Sequence, residues 1–367
     1  MANRAAKPST SAILAALALA LGSGCGQDEG SRTTAGSGGG IDTLPGDGGT
    51  GVGGPDDGAD DGSGSAPGSG DDDGTPAFDL GGADDGMPDP DEGCRRVDFL
   101  FVIDNSASME DQQAALVAAF PGFIAAIQAT LTEADDYQIL VTDTDDWGRC
   151  NTANPWNGVD PGSDLCNGYI KQTVFQECDR TLGAGVLHPA GDFATNAPCM
   201  IAGGNRWMTA MEPDLAGAFA CVAQVGVAGN PAERPMDAMV AALQPEINEA
   251  GACNAGFLRD DALLVITFMS DDPHYEDADG PDEWYQAVLD AKLGDPTSVV
   301  VLGLTPAWPN CMDGGETKGA HWAEFVAKFG DYGLHGNICG TAEDFVTFFE
   351  SAVSTIGEAC EQFVPPG

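Results

Sequence analysis

Four short runs of the chain are almost continuously apolar, and helical patterns lie between them. The runs are rich in valine, isoleucine, leucine and phenylalanine, and they cover residues 95–104, 137–143, 261–270 and 297–304. Near-continuous hydrophobicity over so few residues is typical of parallel strands that are buried on both faces. We therefore predict four strands of a buried, mostly parallel sheet.

Helical signals occupy the segments 109–131, 235–247, 281–294 and 341–357. The first is predicted to be kinked or broken at Pro121. The last begins with Thr341 and Asp344 at capping-box spacing. Strands that alternate with helices favour an α/β fold, a doubly wound sheet flanked by helices.

The amino-terminal region has the order of a secretory signal. Two basic residues precede an apolar stretch too short to span a bilayer, and small residues lead to Cys25. We predict a lipoprotein-type signal peptide over 1–24 and lipidation of Cys25, because the segment resembles a bacterial lipobox. One departure is Gly22, where an aliphatic residue is usual. The alternative is ordinary cleavage that leaves a free thiol.

Residues 25–93 are predicted to form a disordered acidic tether. Positions 26–93 contain 22 glycines among 68 residues, with 17 acids and one arginine. Too few large apolar side chains are present to offset the entropy of ordering. The whole chain has a formal net charge of −44, which argues against nucleic acid or an anionic membrane surface as a partner. We expect membrane contact through the lipid anchor alone, and no organic cofactor.

Ten cysteines remain when Cys25 is set aside, and an even number in an exported chain predicts five disulfides. No Cys-x-x-Cys spacing occurs, which argues against a zinc ribbon. We expect Cys94 to pair with Cys360 and so to close the two ends of the folded region, and the other pairings stay open. The ten are Cys94, Cys150, Cys166, Cys178, Cys199, Cys221, Cys253, Cys311, Cys339 and Cys360.

The folded domain is predicted to span 94–362, with a short tail at 363–367. Residues 144–208 do not follow the strand–helix alternation and contain four of the cysteines. A structureless insert of this length is unusual in a compact domain unless disulfides hold it. We predict a disulfide-rich insertion that emerges at the carboxyl edge of the sheet.

Polar oxygen side chains follow two of the predicted strands. Asp104 ends the first strand, with Ser106 and Ser108 in the next turn, and Asp271 follows the third. Ligands of open α/β sheets bind at this edge. If the two strands are neighbours, the carboxylates repel each other unless a cation lies between them. Oxygen ligands favour Mg²⁺, with Mn²⁺ or Ca²⁺ as alternatives.

The pattern Asp104-Asn105-Ser106-Ala107-Ser108 resembles the Asp-x-Ser-x-Ser motif of von Willebrand factor A domains, which forms a metal-ion-dependent adhesion site. Asp271 matches that family's second aspartate. The chain departs from the family in two places. Asp272 stands where glycine is frequent, and the loop expected to supply a threonine ligand has none; Glu233 is the nearest substitute.

The resemblance implies a domain that binds a partner protein, whose acidic side chain completes the metal's coordination. We therefore expect an exported, lipid-anchored module of a bacterial cell envelope, placed at the outer membrane or cell surface, and not an enzyme.

Several other interpretations remain open at this stage. Ser108 and Asp111 are spaced to cap the first helix. The metal site could be vestigial in a structural envelope lipoprotein. The cluster of Asp271 and His274 could serve a metal-dependent enzyme. A role for Ser106 as a hydrolase nucleophile is disfavoured, because the Gly-x-Ser-x-Gly elbow is absent around it.

Overall fold

The computed structural model describes residues 94–130, 136–144, 176–229, 234–271, 277–306 and 319–366. Several sequence predictions lie outside these residues and stay predictions. They are the signal peptide, Cys25, the tether, Glu233, His274 and three of the ten cysteines, Cys150, Cys166 and Cys311.

A six-stranded sheet forms the centre of the described domain. Its strands are β1 (Arg96–Ile103), β2 (Asp136–Asp143), β3 (Met208–Thr209), β4 (Leu263–Met269), β5 (Val299–Thr305) and β6 (Gly333–Asn337). The order across the sheet is β3-β2-β1-β4-β5-β6. All neighbours are parallel except β2 and β3. The predicted doubly wound α/β fold is confirmed, and the four predicted strands are β1, β2, β4 and β5.

Seven α-helices accompany the sheet in the described residues. They are α1 (Glu110–Thr130), α2 (Leu215–Ala223), α3 (Pro235–Leu243), α4 (Pro245–Asn248), α5 (Pro281–Ala291), α6 (Ala320–Ala327) and α7 (Ala342–Gln362). The capping box that opens α7 is formed as predicted. The Thr341 side chain accepts from the Asp344 N–H, and the Asp344 carboxylate accepts from the Thr341 N–H.

Pro121 and Pro245 have different effects on the helices in which they were predicted to lie. Of the kink or break predicted at Pro121, the break is wrong: α1 continues through this residue. The segment predicted as one helix over 235–247 is instead divided. Gln244 is extended, with φ −63° and ψ 143°, because the ring of Pro245 disfavours a helical conformation in the residue before it. α3 therefore ends at Leu243 and a single turn, α4, follows.

Helices cover both faces of the sheet, and successive residues of β1 serve the two sides. Phe99 and Phe101 pack with α1, α2 and α7, whereas Leu100 and Val102 pack with α3, α5 and α6. This alternation is the side-chain period of a strand. By length and composition α1 could also cross a membrane; here six of its residues are buried in the first of these cores.

Three disulfides join described cysteines, and the predicted pairing of Cys94 with Cys360 is confirmed. The other two are Cys178–Cys253 and Cys199–Cys221. Cys339 is also disulfide-bonded. At the ends of the domain the Cys94 N–H also donates to the Cys360 carbonyl at 3.1 Å, so the start of β1 lies against the end of α7.

The described part of the predicted insertion packs against the sheet. The Val186 N–H donates to the Val141 carbonyl of β2 at 2.8 Å. Arg206 is 9% exposed and forms an ion pair with Asp179 at 2.5 Å. The ion pair joins two parts of the insertion to each other, whereas the Val186 hydrogen bond and the Cys178–Cys253 disulfide hold residues 176–208 to the rest of the domain.

Candidate functional site

The predicted site residues lie where the sheet changes winding direction. β1 and β4 are neighbours, and Ile103 is in register with Met269. The next residues of the two strands, Asp104 and the Ser270–Asp271 pair, therefore emerge side by side at the carboxyl edge. The Asp104 N–H continues the ladder by donating to the Met269 carbonyl at 3.0 Å. In open α/β sheets this point between oppositely wound halves is where ligands bind.

The turn after β1 brings three side chains toward Asp271. The Asp104 carboxylate accepts from the Ser106 N–H at 2.7 Å, which fixes the direction of the turn. The Ser106 and Ser108 hydroxyl oxygens are 3.3 Å apart. The Ser108 hydroxyl donates to Asp271 at 2.8 Å. Asp104, Ser106, Ser108 and Asp271 thus form one connected group across β1 and β4.

The Ser108 hydroxyl does not serve as the helix cap that its spacing to Asp111 suggested. Its contacts within the described residues are those to Ser106 and Asp271. The α1 helix starts instead from a backbone turn, in which the Met109 N–H donates to the Ser106 carbonyl at 3.3 Å.

The Asp104 carboxyl is fully buried, and this burial raises its pKa from 3.8 to about 7. Hydrogen bonds from the Ser270 hydroxyl, at 2.7 Å, and from Ser106 act in the opposite direction, while the nearby Asp271 raises the pKa further. Desolvation and a like charge both disfavour the carboxylate. A cation at this place would reverse that balance.

Ser270 was missed by the sequence analysis, although it directly precedes Asp271. Its hydroxyl donates a hydrogen bond to the carboxylate oxygen of Asp104 that Ser106 does not use. Its own N–H donates to the Leu304 carbonyl of β5 at 3.2 Å. It thereby connects the buried aspartate to a third strand.

Gln113 also was not predicted, and it holds the segment 226–229 against the site. Its buried amide donates to the Asp104 carbonyl and the Gly226 carbonyl, each at 2.9 Å, and accepts from the Gly226 N–H at 3.1 Å. A glutamine within a helix gives no sequence signal for such a clamp, because its partners are distant in the chain.

Asn105, the second residue of the motif, braces the same segment. Its carbonyl accepts from the Gly229 N–H at 2.9 Å, and its side-chain oxygen accepts from the Thr144 hydroxyl at 3.2 Å. Its side-chain NH₂ is buried without a hydrogen-bond partner among the described residues. Residues 226–229 lead toward Glu233, the predicted substitute for threonine, which lies outside the described residues.

The donors that meet here are the kind a hard divalent cation takes. They are two carboxylates and two hydroxyls, all oxygen. The described residues contain no group of three or more His, Cys, Asp or Glu side chains suited to a metal, so zinc-type ligation is not seen in that part of the chain. A cation bound here would offset the repulsion between the buried Asp104 carboxylate and Asp271.

No family model and no curated protein matches the chain. Among solved structures, it is similar to a von Willebrand factor type A protein from Catenulispora acidiphila, with 14% sequence identity and a TM-score of 0.34. The match covers 71% of this chain and 42%, less than half, of the other. The fold assignment rests on the strand order and register described above.

Proposed function

We propose that this chain is a protein-binding module whose partner docks at a divalent-cation site formed by Asp104, Ser106, Ser108 and Asp271. The observation that supports the proposal most is the convergence of these side chains at the switch point between β1 and β4. The proposal assigns no catalysis to the site.

Each residue has a distinct part in this proposal. Asp104, backed by Ser270 and the Ser106 N–H, supplies a fixed negative charge from the sheet. The two hydroxyls add neutral oxygens, and Asp271 adds charge from β4. Together these residues would hold Mg²⁺, whose positive charge would attract an acidic side chain of the partner. Glu233 would replace the threonine that the resemblance leads one to expect.

The proposed location follows from the amino-terminal sequence. The signal peptide over 1–24 directs export, lipid on Cys25 anchors the chain in the cell envelope, and the acidic tether separates the domain from the membrane. The disulfides that join described cysteines are the kind of bond that persists in an oxidising, extracytoplasmic compartment.

Calorimetric titration of Mg²⁺ and Mn²⁺ into the oxidised full-length chain tests the cation site. The matched variants are Asp271→Asn and Asp331→Asn, because each removes one carboxylate and Asp331 lies away from the site, next to β6. We expect saturable binding in the wild type and in Asp331→Asn, and its loss in Asp271→Asn. The control is needed because the acidic tether also attracts cations.

Two results would contradict the proposed site. One is absence of saturable binding in the wild type, which would favour the alternative of a structural envelope lipoprotein with a vestigial site, to which the missing threonine points. The other is equal binding by both variants, which would assign the binding to diffuse negative charge.

A further inference from the structure

A second surface lies at the opposite edge of the sheet from the cation site. It is a groove of about 600 Å³ between α5 and the α3–α4 pair. Its lining includes Leu258 and Asp260, which precede β4, and Asp290 near the end of α5. The seven residues of β4 separate the two edges by roughly 20 Å. The groove is therefore spatially separate from the proposed cation site.

The groove combines apolar side chains with negative charge. Leu258 and Leu293 contribute accessible apolar surface, and the buried Leu243 also lines the groove. Four exposed acids surround it, Glu249, Asp260, Glu283 and Asp290, and its described lining contains no lysine or arginine. None of these four acids forms an ion pair with another described residue. Their charge is therefore available to a ligand.

The neighbouring Lys292 interacts electrostatically with Asp260, but from beneath the groove and not from its surface. Lys292 is 2% exposed, and its ammonium donates to the carbonyl oxygens of Arg259, Asp260 and Ala262 at 2.7, 3.0 and 2.6 Å. It is a structural cation beneath the groove, held by the segment that leads into β4.

Leu293 stands at the rim in a conformation that a leucine rarely adopts. Its φ is +55° and its side chain is 66% exposed. The Gly294 N–H donates to the Leu289 carbonyl at 2.8 Å, which is the terminal bond of a Schellman motif. In this motif the left-handed position, here Leu293, is usually glycine. Folding alone would therefore favour glycine, and the leucine instead presents apolar surface beside the acids.

We propose that this groove docks a segment of a partner protein in which lysine or arginine flanks an apolar side chain. The apolar side chain packs against Leu258 and Leu293, and the basic ones pair with the surrounding acids. Charge complementarity selects this occupant over the chain's own tether, which has 17 acids and one arginine over 26–93. It also disfavours a second copy, since each chain has a formal net charge of −44.

Selection from a library of random dodecapeptides displayed on phage tests the proposal on the oxidised full-length chain. Peptides that bind the Leu293→Gly variant are first removed, and the remainder are selected on the wild type. We expect enriched peptides to place lysine or arginine next to leucine, phenylalanine or tryptophan. The best peptide is then synthesised, and its affinity is measured by fluorescence anisotropy.

Three variants locate the binding. Leu293→Gly and the double variant Glu283→Gln/Asp290→Asn are each expected to weaken the peptide by roughly fivefold or more. Glu350→Gln/Glu361→Gln makes a matched charge change on the exposed face of α7, and we expect less than a twofold effect there. Leu293→Gly should leave the melting temperature unchanged or raise it, because glycine suits its position. Loss of folding therefore cannot explain weaker binding.

Several outcomes would overturn the proposal. They are failure to enrich any peptide, enrichment of acidic or uncharged peptides, and an affinity that Leu293→Gly does not change. Equal weakening by the α7 double variant would show attraction to net charge instead of to the groove. Sedimentation of the wild type as a dimer that Leu293→Gly converts to a monomer would identify the occupant as a second copy.

Discussion

Replacing Gln113 with leucine tests how the site is attached to the rest of the domain. The Gln113 amide is 3% exposed and uses all three of its hydrogen bonds on main-chain groups of Asp104 and Gly226. Leucine has a similar volume but no polar atoms. The substitution would therefore leave two carbonyl oxygens and one N–H buried without their partner.

The expected cost follows from those three groups. Each lost hydrogen bond to a buried main-chain group costs about 1 kcal/mol, so we expect Gln113→Leu to lower the free energy of unfolding by about 3 kcal/mol. Gln128→Leu is the matched control, because it lies in the same helix and changes helix propensity equally. Gln128 is exposed and makes one bond, to the Tyr137 hydroxyl at 2.9 Å, so we expect a loss below about 1 kcal/mol.

Urea denaturation of both variants, with the disulfides intact, measures the difference. Gln113→Glu gives an additional check. The glutamate still accepts from the Gly226 N–H, but its second carboxylate oxygen faces two carbonyl oxygens to which it cannot donate. At neutral pH this variant should therefore lose more free energy of unfolding than Gln113→Leu. The loss should decrease in acid, where the carboxyl is protonated and can donate. If Gln113→Leu costs no more than Gln128→Leu, the attachment of segment 226–229 to the site does not depend on this amide, and the reasoning fails.

Two further predictions concern a buried acid and a close contact. Burial raises the pKa of Asp277 from 3.8 to about 7, so the native state holds this proton more tightly than the unfolded state. The stabilisation from the bound proton is fully present below about pH 4 and is lost as the pH rises to 7. We expect the free energy of unfolding to fall over this range by on the order of 3 kcal/mol. Asp277→Asn should remove this part of the pH dependence of the melting temperature; parallel pH curves for the variant and the wild type would contradict it. A Cβ at Gly229 would overlap the side-chain oxygen of Asn105. Gly229→Ala should therefore lower the free energy of unfolding, measured by urea denaturation, by about 2 kcal/mol. Gly122→Ala is the control, because no atom lies close to a Cβ at that position. It should raise the free energy of unfolding by about 0.5–1 kcal/mol. Equal effects of the two substitutions would refute the overlap.

The elements predicted from the sequence are those whose signal is local. β1, β2, β4 and β5 are apolar on both faces, so their burial is visible in the residues themselves. The missed strands lack this signal. β3 has only two residues and pairs at the edge of the sheet. β6 is glycine-rich and its residues are half-buried or exposed, so tertiary pairing and not hydrophobic pattern determines it.

Part of the candidate site could likewise be predicted, because parallel strands bring their carboxyl ends to one edge. This rule brings Asp104 and Asp271 to the same edge, and the pairing of β1 with β4 in the structure makes them neighbours there. The bracing by Gln113, Asn105 and Ser270 could not be predicted in the same way. Their hydrogen bonds reach Gly226, Thr144 and Asp104 across separate elements, and nothing at the position of a single glutamine or asparagine indicates such a distant partner.

The closure of the domain by Cys94 and Cys360 has a mechanical consequence. A domain that is held from its amino-terminal side and pulled by a partner at the Asp104 edge carries tension along β1. β1 is bonded on one side to β2 and on the other to β4, so the load shears two ladders at once instead of opening one bond at a time. The disulfide passes part of that load to α7. Stretching therefore loads both β1 ladders in shear, and reduction of this one bond would remove the path that shares the load with α7.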